Sequence, residues 1–293
     1  MRSLMRLAVG ICLGWMLARQ PVARADPVVQ FDSIVLAKYS FLNKTDGQTK
    51  SSTAPSATYS PSDIGVTDPN GNPTYTGMLG MSAAGNTLIV KAKRSIDEGA
   101  NSGSQPGNAI VSVTALFEVV RDPANPNALY NVSEQDMLRG MLHTSLNTGL
   151  AGSGAEALGK LTTTVSTATY IQNFSVSDDG KTFNLTHFKP SVGNLDKPTP
   201  DFQFAPGAND STINYDSGPL FLTTVRGGQQ FTVTAELETD VLAIGAGSVA
   251  SSNFFDTGTL TLTASVVPEP GVLVLFGVGA PILAASLRRR RIS

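Results

Sequence analysis

Few side chains in this sequence are able to do acid–base or covalent chemistry, and their spacing decides what they can do. Only two histidines occur, His143 and His187. Neither belongs to a His-x-x-x-His or Glu-x-x-His arrangement, so the helix-borne zinc site of the common metalloproteases is absent. His187 follows Leu185 and Thr186 at the end of a predicted strand, where it could act as base for a serine, but no serine is singled out by its neighbours. The segment GMSAAG (Gly80–Gly85) misses the nucleophile-elbow spacing by one residue. GAEALGKL (Gly154–Leu161) has the spacing of a phosphate-binding loop, with Leu161 where a hydroxyl would hold magnesium. GAGSVA (Gly245–Ala250) imitates a dinucleotide fingerprint, yet SSNFFDTG follows it and supplies no helix N-terminus for a pyrophosphate; a loop between strands is expected.

Carboxylates are the remaining chemical opening. Asp178, Asp179, Asp196, Asp201, Asp210 and Asp216 could line calcium-binding loops, although DPNGNP (Asp68–Pro73) carries Pro73 where the ordered calcium loop needs glycine. Glu236 and Glu238 point to one face of a predicted strand as a glycosidase pair would, but adjacent carboxylates on a wet strand face are first of all solvated residues. Sugar stacking would fall to Tyr59, Tyr75, Tyr130, Tyr170 and Tyr215, since the single tryptophan, Trp15, lies near the N-terminus. The single cysteine, Cys12, lies there too, which removes thiol catalysis, a Cys-ligated zinc site and any intrachain disulfide from the remainder. No residue is assigned a catalytic, cofactor-binding or metal-ligating role. The expectation is a protein that is not an enzyme and takes no cofactor.

The elements available to position side chains are mainly strands. In QQFTVTAELETDV, Phe231, Val233, Ala235 and Leu237 alternate with Thr232, Thr234, Glu236 and Glu238, and GTLTLTASVV repeats the period with Leu260, Leu262, Ala264 and Val266. Further strands are predicted at Val28–Leu36, Thr87–Lys93, Ala109–Val120, Thr163–Ile171 and Leu220–Val225. A hairpin is predicted in FSVSDDGKTFNL around Asp179-Gly180. One helix is expected from Ser133, with Met137, Leu138, Met141, Leu142 and Leu146 as its apolar stripe and His143 on its opposite, solvated side. Lys44–Asp63 and Glu98–Asn108 read as polar surface loops. The fold class is therefore mainly β: an antiparallel β-sandwich with a short helical insertion.

Both ends carry addresses rather than chemistry. Arg2 and Arg6 precede the apolar run Leu7–Ala18, and Ala23 and Ala25 occupy the two positions a signal peptidase reads, so cleavage before Asp26 is predicted. At the other end Pro268-Glu269-Pro270 precedes the uncharged span Gly271–Leu287 and the cluster Arg288, Arg289, Arg290 and Arg291. Seventeen helical residues reach about 25 Å, the low end for a bilayer, and the arginines stay cytoplasmic by the positive-inside rule. Three segments follow: a signal peptide (1–25), an exported β-sandwich domain (26–267) and a tail (268–293) divided into motif 268–270, membrane span 271–287 and basic cluster 288–291.

This combination resembles the PEP-CTERM proteins of Gram-negative bacteria, which join an N-terminal signal peptide to a three-part C-terminal sorting signal. The resemblance is carried by Pro268, Glu269, Pro270, the span after them and Arg288–Arg291. It implies that the tail is the substrate of an exosortase, a membrane enzyme that acts near the motif and frees the protein for the cell surface or its exopolysaccharide. The implied partners are signal peptidase and exosortase during export, the inner membrane transiently, and extracellular polysaccharide afterwards. It covers about 26 residues and implies nothing about the domain between the two ends.

Of 21 lysines and arginines, four precede Asp26 and four follow Leu287, which leaves 13 against 22 Asp and Glu, a net charge of about −9 for residues 26–267. Nucleic acid is excluded as the expected partner, because phosphate binding needs a basic footprint. The leading expectation is a non-enzymatic surface or matrix protein. The alternatives are a carbohydrate-binding module, with or without calcium, and a secreted hydrolase of unrecognised type.

Overall fold

The computed structural model describes residues 28–44, 46–66, 73–100, 103–146, 153–165, 168–178, 183–188 and 210–267; for 168–178, 183–188, 210–211 and 256–257 it describes the backbone alone. Fourteen strands and one single-turn helix run in the order β1 (Val29–Asn43), β2 (Gly47–Ser52), β3 (Ser56–Tyr59), α1 (Pro61–Ile64), β4 (Thr74–Ala84), β5 (Thr87–Asp97), β6 (Ser104–Val119), β7 (Leu129–Ser145), β8 (Gly154–Val165), β9 (Ala168–Asp178), β10 (Phe183–Phe188), β11 (Asp210–Asp216), β12 (Leu220–Arg226), β13 (Gln230–Ile244) and β14 (Val249–Val266). They form two sheets. Sheet A has the order β10-β9-β8-β13-β6-β1-β2 and sheet B the order β11-β7-β14-β5-β4-β3, with β12 pairing the first half of β7 on the edge where β11 pairs the second. Every pairing is antiparallel.

The sheets pack face to face because alternate residues of each strand are apolar and must leave water together. On β13, Phe231, Val233, Ala235, Leu237, Val241 and Ala243 are buried, and on β5 Leu88, Val90, Ala92 and Ile96 meet them from the other sheet. Phe254 on β14 locks the layers. Gly140 on β7 and Gly159 on β8 of the opposite sheet both face its ring, and a Cβ at either would fall inside it. The chain turns from β13 to β14 through Gly245 and Gly247, whose positive φ angles of 85° and 78° suit glycine.

The mainly β, antiparallel architecture matches the expectation, and its helical insertion does not. Ser133–Leu146 lies almost wholly in β7, paired along one edge with β14 and along the other with β11 and β12. The doublets Met137-Leu138 and Met141-Leu142 mimic helical spacing. In the strand only Leu138 and Leu142 of these four are buried, while Met141 is exposed. Helix propensities are worth a few tenths of a kcal/mol per residue, and hydrogen bonding along both edges of β7 overrides them. The predicted strand Thr163–Ile171 is divided between β8 and β9. The expected loop Lys44–Asp63 contains β2, β3 and α1, and β6 begins inside the loop expected at Glu98–Asn108. The hairpin expected around Asp179 is present as the β9–β10 pair, with Phe183 opposite Asp178; its turn residues lie outside the described ones.

Candidate functional site

The segment expected to be a sorting tail follows directly on the last strand of sheet B. β14 carries Leu260 and Leu262 buried, with Ala264 and Val266 partly buried against the same core, because this alternation supplies an inner face for a strand held between β5 and β7. Its β5 partner stops first. Thr261 pairs Thr87, and the turn residue Asn86 then takes over: its carbonyl accepts from the Leu262 N–H at 2.8 Å and its side-chain amide donates to the Leu262 carbonyl at 2.8 Å. β7 continues to the end, where the Val267 N–H donates to the Leu129 carbonyl at 2.9 Å. Pro268, the next residue, has no N–H to extend the ladder. Val267, one position before Pro268, thus follows an interior strand that is paired on one side only over its last residues. Ala23, Ala25, Pro268, Glu269, Pro270 and Arg288–Arg291 themselves lie outside the described residues. Among the described residues no helix is long and apolar enough to cross a membrane.

The glutamate pair singled out in the sequence sits on the outer face of sheet A. Glu236, Glu238 and Asp240 form a ladder along β13, pointing away from the core. Lys160 on β8 meets Glu238 at 3.0 Å, and the Asn108 side-chain amide donates to Glu238 Oε1 at 3.1 Å and to Asp240 Oδ1. The hydrogen bond from Lys160 to Glu238 holds the ammonium above its ordinary range. Burial pushes the Asp240 carboxyl up, helped by the neighbouring charges of Glu238 and Glu156 and opposed by the Asn108 hydrogen bond and Lys160. A shallow hollow of about 340 Å³ opens beside Asp240, rimmed by Leu42, Pro106, Leu158 and Leu242. Glu236 and Glu238 thus share a face, as expected, but it is an open sheet surface with a lysine between strands rather than a cleft.

The other candidates are dispersed. His143 is half-buried on the outer face of β7 in sheet B, opposite Ser251, whereas His187 is on β10 in sheet A. Asp216 organises a turn, accepting from Gln135 Nε2 at 2.7 and 2.9 Å and from the Gly218 N–H at 2.9 Å. Asp178 and Asp210 stand at strand ends, while Asp179, Asp196 and Asp201 lie outside the described residues. Among the described residues no three His, Cys, Asp or Glu side chains gather as metal ligands. Tyr75, Tyr130 and Tyr215 are core residues, so most of the proposed stacking platform is buried. Tyr59 packs edge-on to Tyr39 at 4.7 Å and lies under the Lys50 ammonium at 4.3 Å. The phosphate-loop imitation Gly154–Leu161 is strand β8, and Gly245–Ser248 is the inter-strand turn expected of it.

Sequence reading missed the charged interior of sheet B. Arg94 is fully buried, its Cζ 5.4 Å from the Phe41 ring centre and 5.0 Å from that of Tyr75, with Nη2 donating to the Leu42 carbonyl at 3.4 Å. Gly77 and Gly107 leave the room its side chain occupies. Glu134 and Asp136 are buried on β7, and Glu98 is buried just beyond β5. Burial pushes the Glu98 carboxyl up, against the pull of Lys44. The signal was available in KAKRSID, where Arg94 falls in phase with Ala92 and Ile96 rather than with the wet Lys91 and Lys93. No family model and no curated protein sequence matches this chain.

Proposed function

We propose that the chain is an exported, non-enzymatic β-sandwich protein of the cell surface or extracellular matrix, released from a membrane-held precursor by exosortase processing of its tail. One observation carries this reading: the ordered run of Pro268-Glu269-Pro270, an uncharged span of 17 residues and four arginines, in a chain that opens with a basic, apolar and small-residue leader. The position of the motif supports it. Among the described residues the last amide bonded to the sheet is that of Val267, two positions before Glu269, and Pro268 between them has no N–H with which to continue the ladder. Signal peptidase would act first, after Ala25, and the arginine cluster would hold the precursor in the inner membrane until the tail is cut. Retention in extracellular polysaccharide would then fall to the sheet surfaces of residues 26–267.

Intact-mass analysis of the exported protein tests the reading. The expected product starts at Asp26 and lacks Arg288–Arg291; an exported product that still carries the arginines removes the processing step and leaves a permanent anchor. Glu269→Ala is expected to leave the precursor in the membrane fraction with an unchanged melting temperature, since Pro268, which has no N–H, separates residue 269 from the sheet-bonded Val267.

A further inference from the structure

The outer faces of the two sheets carry opposite charge along one line through the molecule. β13 and β5 pack against each other through the core. Outside β13 stands the acidic ladder Glu236, Glu238 and Asp240; outside β5 stand Lys91 and Lys93. Arg139, exposed on β7, adds a third cation to the sheet B face, and Lys91 lies 5.5 Å from the Phe255 ring centre on that face. No carboxylate pairs with Lys91, Lys93 or Arg139 among the described residues, although each stands on an interior strand of sheet B. Apolar side chains flank both ladders. Met78 and Met141 are exposed in the strand register of Lys93, and Leu42 and Leu158 occupy the register of Asp240.

From this we infer that the protein associates with copies of itself head to tail, the acidic face of one sheet A seating on the basic face of the next sheet B. The geometry suits a simple translation along the sheet normal. β13 and β5 both run toward the pole where Ser248 bonds the backbone of Glu98, so they point the same way. Residues two apart on a strand repeat every ~6.6 Å in both, so Lys91 and Lys93 meet Glu238 and Asp240 in order. Packed sheets stand ~10 Å apart, within reach of lysine and carboxylate side chains from both sides. Two different patches are used, so the contact is heterologous and does not close: each added copy leaves one acidic and one basic face free. The carboxyl of Asp240, crowded by Glu238 and Glu156, gains a cation, and the apolar rim of its hollow gains methionine. The overall charge of residues 26–267, about −9, opposes association at long range, while salt bridges in contact are screened less than that distant repulsion.

Charge reversal provides the test, using the full chain in a nonionic detergent and sedimentation velocity. Wild-type protein is expected to show a mass that rises with concentration without a plateau. Lys93→Glu and Asp240→Lys should each raise the concentration for association at least tenfold. An equimolar mixture of the two should restore it, because each variant then offers the other both a native and a reversed pair. The tail is common to all three proteins, so association through it would survive both reversals and overturn the inference. Glu238→Lys mixed with Lys91→Glu carries the same test one step along the ladder should Asp240→Lys fail to fold. A strictly monomeric wild type, a mass that stops at a dimer, or a mixture that stays monomeric would each overturn it. So would a monomeric wild type that binds a soluble uronic acid polymer and loses that binding in Lys93→Glu, which would assign the basic face to a polyanion instead.

Discussion

The two sheets solve the same packing problem with different chemistry. The inner face of sheet A is almost wholly apolar: Ala109, Val111, Val113, Ala115, Phe117 and Val119 on β6 face inward beside the apolar row of β13. Its polar exceptions among the described residues are Asn43, Thr163 and Thr239, the last of which donates to the Ala109 carbonyl at 3.1 Å. Sheet B places Arg94, Glu134, Asp136, Thr144 and Ser252 inward among its leucines and valines, with Glu98 just beyond β5. Outside, the contrast reverses, with acids along β13 of sheet A and, among the described residues, cations without a carboxylate partner on β5 and β7 of sheet B. Apolar alternation suffices to build one layer; the other layer must also hold buried charges, whose desolvation has to be offset by contacts such as the Arg94 stack on Phe41 and Tyr75.

The strongest way to break the partnership of the layers is at Phe254, where sheet B enters the glycine sockets. Gly159→Ala places a methyl group inside the phenyl ring and cannot be relieved by rotating an exposed side chain, because Phe254 is fully buried. A loss of about 3 kcal/mol or more is expected in urea unfolding. Adding Phe254→Leu should recover part of that loss, with a coupling of about 0.5–3 kcal/mol, since the smaller side chain vacates the space the methyl needs. Two losses that simply add would mean that Gly159 and Phe254 do not share one site.

The same contrast explains how much of the fold could be read in advance. β6, β13 and β14 were legible because their inner rows are apolar without interruption for several residues. β7 was not. Its inner row reads Tyr130, Val132, Glu134, Asp136, Leu138, Gly140, Leu142 and Thr144, so two acids and a glycine interrupt the period while the outward Met137 and Met141 complete a false helical stripe. β4 was hidden in the same way by Gly77 and Gly80, the first of which makes room for Arg94. Of the site, the acidic ladder on β13 was visible as Glu236 and Glu238. Asp240 and the complementary Lys91 and Lys93 depended on knowing which strands pack back to back, a relation between residues ~150 positions apart that no local period carries.

Glu98 offers a smaller test of the charged layer. It is fully buried, and neither carboxylate oxygen accepts a hydrogen bond among the described residues. Burial favours the protonated acid, so the folded chain holds this proton to a higher pH than the unfolded chain does. The stability from that proton is complete below the ordinary glutamate value of about 4.3 and is lost as pH rises through the raised value. Glu98→Gln keeps a neutral side chain at every pH. The variant should be more stable than wild type at neutral pH, because it never carries the buried charge, with the two converging in acid. A variant less stable than wild type at neutral pH would show that Lys44 offsets the burial of the charge in full.

The smallest expected effect sharpens the contrast from the sheet A side. Among the described residues Lys160 is the one cation bonded to the β13 ladder, and its ammonium, like the Glu238 carboxylate, is partly open to water. An ion pair of this kind contributes about 0.2–1 kcal/mol and weakens with salt. Lys160→Met keeps the aliphatic stem over the sheet and removes the charge, so the loss in melting stability should fall within that range at low salt and shrink at high salt. Pairing with Glu238 raises the lysine above its unfolded value of about 10.4, so the contribution is fully present below that pH and disappears as pH climbs through the raised value. The variant has a second consequence that a purely structural role would not produce. Without Lys160, Asp240 keeps the repulsion of Glu238 and Glu156 but loses the nearby cation that opposes it, so its carboxyl should titrate at higher pH still, as read from the chemical shift of its side-chain carbon. An Asp240 titration unchanged by Lys160→Met would mean that the ladder residues are screened from one another by water, and that the acidic face acts as separate charges rather than as one surface.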